Sequence, residues 1–266
     1  MKYFVVADPH GFYNALRASL DAAGFFREGE TGTLVVCGDL LDRGPDAVQM
    51  QEFMLDLLDA GRLIYIRGNH EDLFEIMLDD IIDGNVLDMI EGTSYHVKNG
   101  TWHTAIQLCG MEPSEIYRHP GDFVFRAKHT PYYKRLMRAA VDYFETEHYV
   151  FVHGWIPTVE ESVPASYHRL KTHRYDPDWR TASPARWAAA RWLNGMDMAC
   201  RRKIREEGKT VVCGHFHASY GHSRILDACP EYGEGAIFTP FSAEGILAID
   251  ACTACSGMVN CIVLDD

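Results

Sequence analysis

Five short segments of this chain end in residues that could do chemistry together. They hold Asp8 and His10, Asp39 and Asp42, Asn69 and His70, His153, then His215 and His217. Any one of these alone reads as a helix cap or a hydrogen-bonded loop residue. Their joint occurrence is harder to explain, because gathering carboxylates and imidazoles without a counter-charge is strongly unfavourable. Divalent cations remove the conflict. A mixture of carboxylate, imidazole and one amide oxygen, without thiolate, suits manganese, iron or zinc better than magnesium or a Cys-rich structural zinc. Asp8, His10, Asp39, Asn69, His153, His215 and His217 are too many donors for one ion and suit two ions that share a carboxylate. Metal pairs roughly 3.5–4 Å apart clamp an attacking oxygen and a phosphoryl oxygen, so phosphoester hydrolysis is the expected reaction class.

Each segment follows a short β-branched run: Lys2–Ala7, Thr33–Cys37, Leu63–Ile66, His148–Val152 and Thr210–Cys213. Runs of this length read as buried strands. Helical patterns over Asn14–Ala23, Asp46–Asp59 and Asp72–Asp83 lie between the early ones, each opened by Asn or Asp. Strand, polar tip, helix, strand is the βαβ order, in which ligands collect at the carboxyl ends of the strands. The pattern weakens over residues 85–147, expected to be a cap-like insertion of loops with a helix over Tyr132–Glu147. A further helix is expected after Ser183-Pro184, and a closing hairpin or meander from Gly245–Ile249 and Val259–Leu264. Without repeats or linkers, one domain over 1–266 is the simplest parse.

The 266 residues are 47% hydrophobic and 24% charged, which excludes disorder, collagen-like repeats and a small disulfide scaffold. A net charge of -13 repels polyanions, so no nucleic-acid partner is expected, and an anionic substrate needs local positive charge from metals or a few arginines. The apolar run Tyr3–Ala7 stops at Asp8, so neither a membrane span nor an export segment is expected. The cysteines give no sign of an oxidising compartment, and a reduced cytoplasmic enzyme is the working class. Oligomeric state leaves no signal.

Asp8-Pro9-His10-Gly11, Gly38-Asp39-Leu40-Leu41-Asp42-Arg43-Gly44, Gly68-Asn69-His70-Glu71, His153-Gly154 and Gly214-His215-Phe216-His217 resemble the five blocks of the calcineurin-like metallophosphoesterase superfamily. Asp42-Arg43-Gly44 and Arg67-Gly68-Asn69-His70-Glu71 resemble the serine/threonine phosphoprotein phosphatase branch. The tail Ala248-Ile249-Asp250-Ala251-Cys252 is similar to that of bacterial diadenosine tetraphosphate hydrolases. The resemblance implies an α/β fold, a four-layer αββα sandwich with two mixed sheets. It implies two divalent ions, manganese first and iron or zinc next. Asp8, His10 and His217 would hold one ion, Asn69, His153 and His215 the other, and Asp39 would bridge them. A water activated by the ions would attack phosphorus, His70 would protonate the leaving oxygen under orientation by Asp42, and Arg43 would grip the phosphate. Arg67 either helps Arg43 or makes a structural ion pair. A further phosphate-binding arginine is expected among Arg169, Arg174, Arg180, Arg186 and Arg191.

Other features read more plainly. Cys252-x-x-Cys255 has no second pair and reads as strand and turn packing before a redox or zinc pair. Trp179, Trp187 and Trp192 read as core packing before a base-stacking lid. The main functional expectation is a serine/threonine-type phosphatase acting on phosphomonoesters. A dinucleoside polyphosphate hydrolase is the alternative within the chemistry, and a non-catalytic binding scaffold is the alternative outside it.

Overall fold

Val, Ile and Leu fill the short runs that pair into sheets, as their stiff side chains favour. The computed structural model describes residues 1–164 and 169–266, with the side chains of 162–171 left aside. In the first sheet, β1 (Lys2–Val6), β2 (Thr33–Cys37) and β3 (Leu63–Ile66) run parallel, and β11 (Cys261–Asp265) pairs antiparallel with β1. The second sheet has the order β4 (Phe144–Glu145), β5 (Tyr149–Phe151), β8 (Thr210–Cys213), β10 (Ile246–Ala248) and β9 (Phe241–Ala243). Its inner pairs are parallel and its outer ones antiparallel. A separate hairpin joins β6 (Val159–Pro164) to β7 (Arg169–Arg174).

Alternation along each strand divides the core into layers. Val5, Val35, Ile66, Phe151, Val212 and Ile249 meet between the two sheets. Phe4, Val6, Leu34 and Val36 point outward, onto helices α1 (Tyr13–Ala23), α2 (Ala47–Asp59) and α3 (Asn69–Ile82). On the far side, Val150, Val211 and Ile246 pack with Trp187 and Ala190 of helix Pro184–Ala190. These layers are the expected four-layer sandwich with two mixed sheets.

Three local expectations are corrected. Helix α3 starts at Asn69 rather than Asp72, because Glu71 in its first turn accepts the Gly68 N–H at 2.7 Å and closes the N-terminus. Asn69 and His70 therefore sit on a helical turn. The helix expected over Tyr132–Glu147 ends at Ala139 after a π turn, Tyr132–Leu136. The β3 edge captures the chain instead: Val141 donates to Tyr65 O at 2.9 Å, and Arg67 donates to Val141 O at 2.8 Å. The two tail runs do not pair with each other: β10 joins the second sheet, where β9 is its antiparallel neighbour, and β11 joins the first.

Residues 86–127 form five short helices, which bury Val86, Met89, Trp102, Ile116 and Phe123 in the same core as α2 and α3. Among the described residues no helix is long and apolar enough to cross a membrane.

The chain leaving β8 passes close to the end of β1. A Cβ on Gly214 would lie 1.9 Å from Asp8 Oδ2 and 2.7 Å from Ala7 Cβ. Gly214→Ala is therefore expected to destabilise the protein by about 1–3 kcal/mol, as overpacking does. Thermal unfolding measures this, and an unchanged midpoint would mean that the strand tips can part freely.

Candidate metal centre

Parallel strands of both sheets end at one rim, and the polar tips turn there through sparsely populated backbone. Asp8, His10, Asp39, Asp42, Arg43 and His215 all have positive φ, between 49° and 75°. Such conformations cost on the order of 1 kcal/mol or more each and persist where surrounding structure imposes them. Much of that imposition comes from Glu71. Its buried carboxylate accepts the N–H groups of Gly68 (2.7 Å), Asp39 (3.1 Å) and Leu40 (3.1 Å), and the Tyr65 hydroxyl at 2.6 Å. One side chain thus ties the tips of β2 and β3 together. Burial and the nearby Asp39 raise its pKa, while Tyr65 and the amides oppose them.

Asp39 occupies the middle of the rim. Its Oδ2 lies 3.8 Å from His10 Nε2 and 3.8 Å from His70 Nε2, and its Oδ1 lies 3.3 Å from His153 Nε2. His10, Asp39 and His70 offer donor atoms within 4.8 Å of one another, as do Asp39, His153 and His215. Burial opposes charge on Asp39, but His153, His70, His10 and His215 outweigh it and hold its pKa below the usual carboxylate range.

The imidazoles are presented as ligands. His10 Nδ1 faces the Leu41 carbonyl at 3.0 Å, and His153 Nδ1 faces the Cys37 carbonyl at 2.9 Å. Those carbonyls take the Nδ1 protons and leave each Nε2 lone pair aimed inward. Around His153 Nε2, Asn69 Oδ1 stands at 2.7 Å and Asp39 Oδ1 at 3.3 Å. Three lone pairs converging in a buried site are what a cation relieves, so the donor set fits a metal. Burial lowers the pKa of His10, with Arg43 adding to it. Burial and then His153 bring His215 down to about 3. Both rings are neutral and able to coordinate.

Asp8 and His217 stand somewhat apart from these triads. Asp8 accepts the His215 N–H through both oxygens, at 3.2 and 3.0 Å. Burial, then Asp250 and Asp39, push its pKa well up. His217 turns Nε2 toward the Tyr232 hydroxyl at 2.6 Å, with Glu231 Oε1 at 3.6 Å. His10 and His217 nevertheless line one cleft of about 610 Å³ with Arg43, His215, Trp192 and Asp250.

His70 Nδ1 donates to Asp42 Oδ2 at 2.7 Å, and the Thr101 hydroxyl donates to the same oxygen at 2.6 Å. Asp42 N–H reaches Thr104 Oγ1 at 3.0 Å, so helix Thr101–Cys109 buttresses the pair. Burial works against the His70 charge, but Asp39 and Asp42 prevail and its pKa rises. Exposed Arg43 spans the rim, with Nη1 2.9 Å from His10 Nε2 and Nη2 3.1 Å from His70 Nε2.

Arg67 is not brought to the cluster; it pairs with Asp72 at 2.7 Å and with Glu75. Of the later arginines, Arg174 pairs with Glu161, Arg180 with Glu145 and Glu206, Arg186 with Asp176, and Arg191 with Asp72 and Asp142. None of these four lines the cleft. The Arg169 side chain lies outside the described residues. The tryptophans divide: Trp179 and Trp187 are buried around Tyr143, whereas Trp192 is 45% exposed and meets His215 edge-on at 5.7 Å. Glu71, Thr101, Thr104 and Asp250 had no role assigned from sequence. Only Glu71 and Asp250 carried a signal, being within the quoted motifs. Burial pushes the Asp250 carboxyl up to about 7.

Comparison with known proteins adds the following. The model of the calcineurin-like phosphoesterase family matches residues 1–219. The asymmetrical bis(5'-nucleosyl)-tetraphosphatase PrpE of Bacillus velezensis is 27% identical over 139 residues, 50% of this chain and 51% of that one. The symmetrical bis(5'-nucleosyl)-tetraphosphatase of Photorhabdus laumondii is 37% identical over 71 residues, 27% of this chain and 24% of that one. The chain thus spans about half or less of the length of these curated relatives. A crystal structure of a cold-active protein tyrosine phosphatase superposes with a TM-score of 0.54 at 15% identity, covering 99% of this chain and 73% of that one.

Two substitutions test this geometry. Asp39→Asn is expected to lower bound manganese after dialysis; elemental analysis showing two retained ions would remove Asp39 from the bridging position. Glu71→Ala strands several buried amides and is expected to cost on the order of 3 kcal/mol or more in denaturant unfolding.

Proposed function

The chain belongs to the calcineurin-like phosphoesterase family; on that premise we propose that it is a metal-dependent phosphoesterase that hydrolyses phosphomonoesters, with phosphoserine or phosphothreonine of a protein as the substrate group. The observation that carries this reading is the His70–Asp42 pair, 2.7 Å apart and buried beside Asp39. An alkoxide leaves poorly without a proton, whereas a nucleotide leaves readily as a phosphate. A buried imidazole with a raised pKa, oriented by a carboxylate, supplies that proton to a serine or threonine oxygen.

In this reading Asp8, His10 and His217 would hold one cation and Asn69, His153 and His215 the other, with Asp39 available to both. Two divalent cations, manganese in this assignment, supply an activated water and neutralise phosphate charge. The remaining work belongs to side chains. Arg43 presents a planar donor fork at the cleft and orients the phosphate by two oxygens. Its charge offsets the field of a chain of net charge -13. Asp42 holds His70 Nδ1 so that Nε2 faces the leaving oxygen, and Thr101 fixes Asp42 in turn. Arg67, paired with Asp72 and Glu75, acts on position rather than on phosphate. The free thiols of all eight cysteines suit a cytoplasmic enzyme.

A second reading, hydrolysis of dinucleoside polyphosphates, is favoured by the names of the relatives and by Trp192, Phe216 and Tyr232 around the cleft, which could stack a base.

Leaving-group dependence separates the readings. His70→Ala is expected to keep its metals and lose about a hundredfold in kcat on an alkyl phosphate. On p-nitrophenyl phosphate, whose leaving group needs no proton, the loss should be far smaller. An equal loss on both, or an emptied metal site, would end the acid assignment. The wild-type ratio of kcat/KM on a phosphopeptide to that on diadenosine tetraphosphate should exceed one; the reverse ratio would put the second reading first.

A further inference from the structure

Cys252 and Cys255 line the same cleft as His10, Arg43 and His217. They lie in a turn, as the sequence reading has them, but outside the hydrophobic cores. Cys37 and Cys213 are buried in the cores, and Cys109, Cys200 and Cys261 pack against them, whereas Cys252 and Cys255 belong to no hydrophobic cluster. Cys255 is exposed and Cys252 half-buried. Their turn is fixed. Cys252 has φ 53°, and its carbonyl accepts the Cys255 N–H at 2.7 Å. A hydrogen-bonded turn of this span keeps its end Cα atoms within about 7 Å, close to the reach of a disulfide. Among the described residues no third donor joins them in a metal-ligand cluster, which argues against a zinc pair.

The turn also touches the metal centre. Cys252 N–H donates to Asp250 Oδ1 at 2.7 Å, and the Thr253 hydroxyl donates to Asp8 O at 2.9 Å. Strain placed on the turn is therefore delivered to the β1 tip.

We infer that Cys252 and Cys255 form a dithiol that a peroxide converts to a disulfide in the cleft wall, and that this bond reversibly slows turnover. Cys255, as its exposed thiolate, attacks one peroxide oxygen and becomes a sulfenic acid, and the other oxygen leaves as water. The Cys252 sulfur then attacks Cys255 Sγ and expels the second water. Two electrons pass from the sulfur pair to the peroxide, and the two thiol protons end in the two waters. The effect on turnover rests on the cleft being the catalytic one; the thiol chemistry does not.

The test treats the full-length, manganese-loaded protein with limiting hydrogen peroxide. Free thiols, the peptide mass map and turnover of an aryl phosphate are then measured. The expected result is loss of two thiols, a Cys252–Cys255 cross-link and a fall in turnover of roughly tenfold, restored by dithiothreitol. Cys255→Ser should lose both the cross-link and the peroxide-dependent fall relative to its own untreated rate, whereas Cys229→Ser should respond as wild type. Thiols 252 and 255 left reduced would overturn the inference. So would a cross-link without change in turnover, or a fall that persists in Cys255→Ser, which would point to oxidation of the metals. Absence of any phosphatase turnover would sink the proposed function, while the thiol count would still report on the dithiol.

Discussion

A carboxylate kept ionised where water hardly reaches is the constraint on which this structure depends. Asp39 is buried with four imidazoles around it, and its pKa lies below the usual carboxylate range although burial opposes its charge. Asp8 and Asp250 crowd the same volume, and burial, then repulsion from Asp250 and Asp39, raises the pKa of Asp8. Such a cluster of acids and imidazoles suits a cation, since an uncompensated buried charge costs several kcal/mol. The parallel strands, their helices and the intersheet core serve to bring those acids and imidazoles to one rim.

That rim is held by main chain in conformations the residues would not choose. Six of its side chains stand on left-handed backbone, and Asp and His are among the few non-glycine residues that accept it. The choice of residue at these positions therefore answers two demands at once, ligand chemistry and turn geometry. Glu71 supplies the opposing restraint without touching a substrate. The helices of residues 86–127 do the same for Asp42 through Thr101 and Thr104. A stretch with no motif thus fixes the group that orients His70.

The strand tips were legible in the sequence because each couples a β-branched run to an acid or imidazole. Two matters were not. Short apolar runs such as 246–248 and 261–265 state that they are strands but not which sheet they join, so the two runs separated where their pairing was expected. Side-chain pairing is equally silent: nothing in the spacing of Arg67 announces Asp72 and Glu75, nor does His217 announce Tyr232. The spacing of Cys252 and Cys255 shows a turn but not the cleft beside it, whose other walls come from distant segments. Thr101 and Thr104 carry no local signal at all.

The antiparallel pairing of β11 with β1 has a consequence for synthesis. β11 comes long after β1 along the chain, so the edge of β1 that it covers is made well before its partner. Until then an apolar strand, Tyr3 to Val6, offers unpaired amides and carbonyls to any neighbour. Contacts of such sequence separation form slowly. Asp8 and His10 therefore sit at the tip of an incompletely paired strand until β11 has been made.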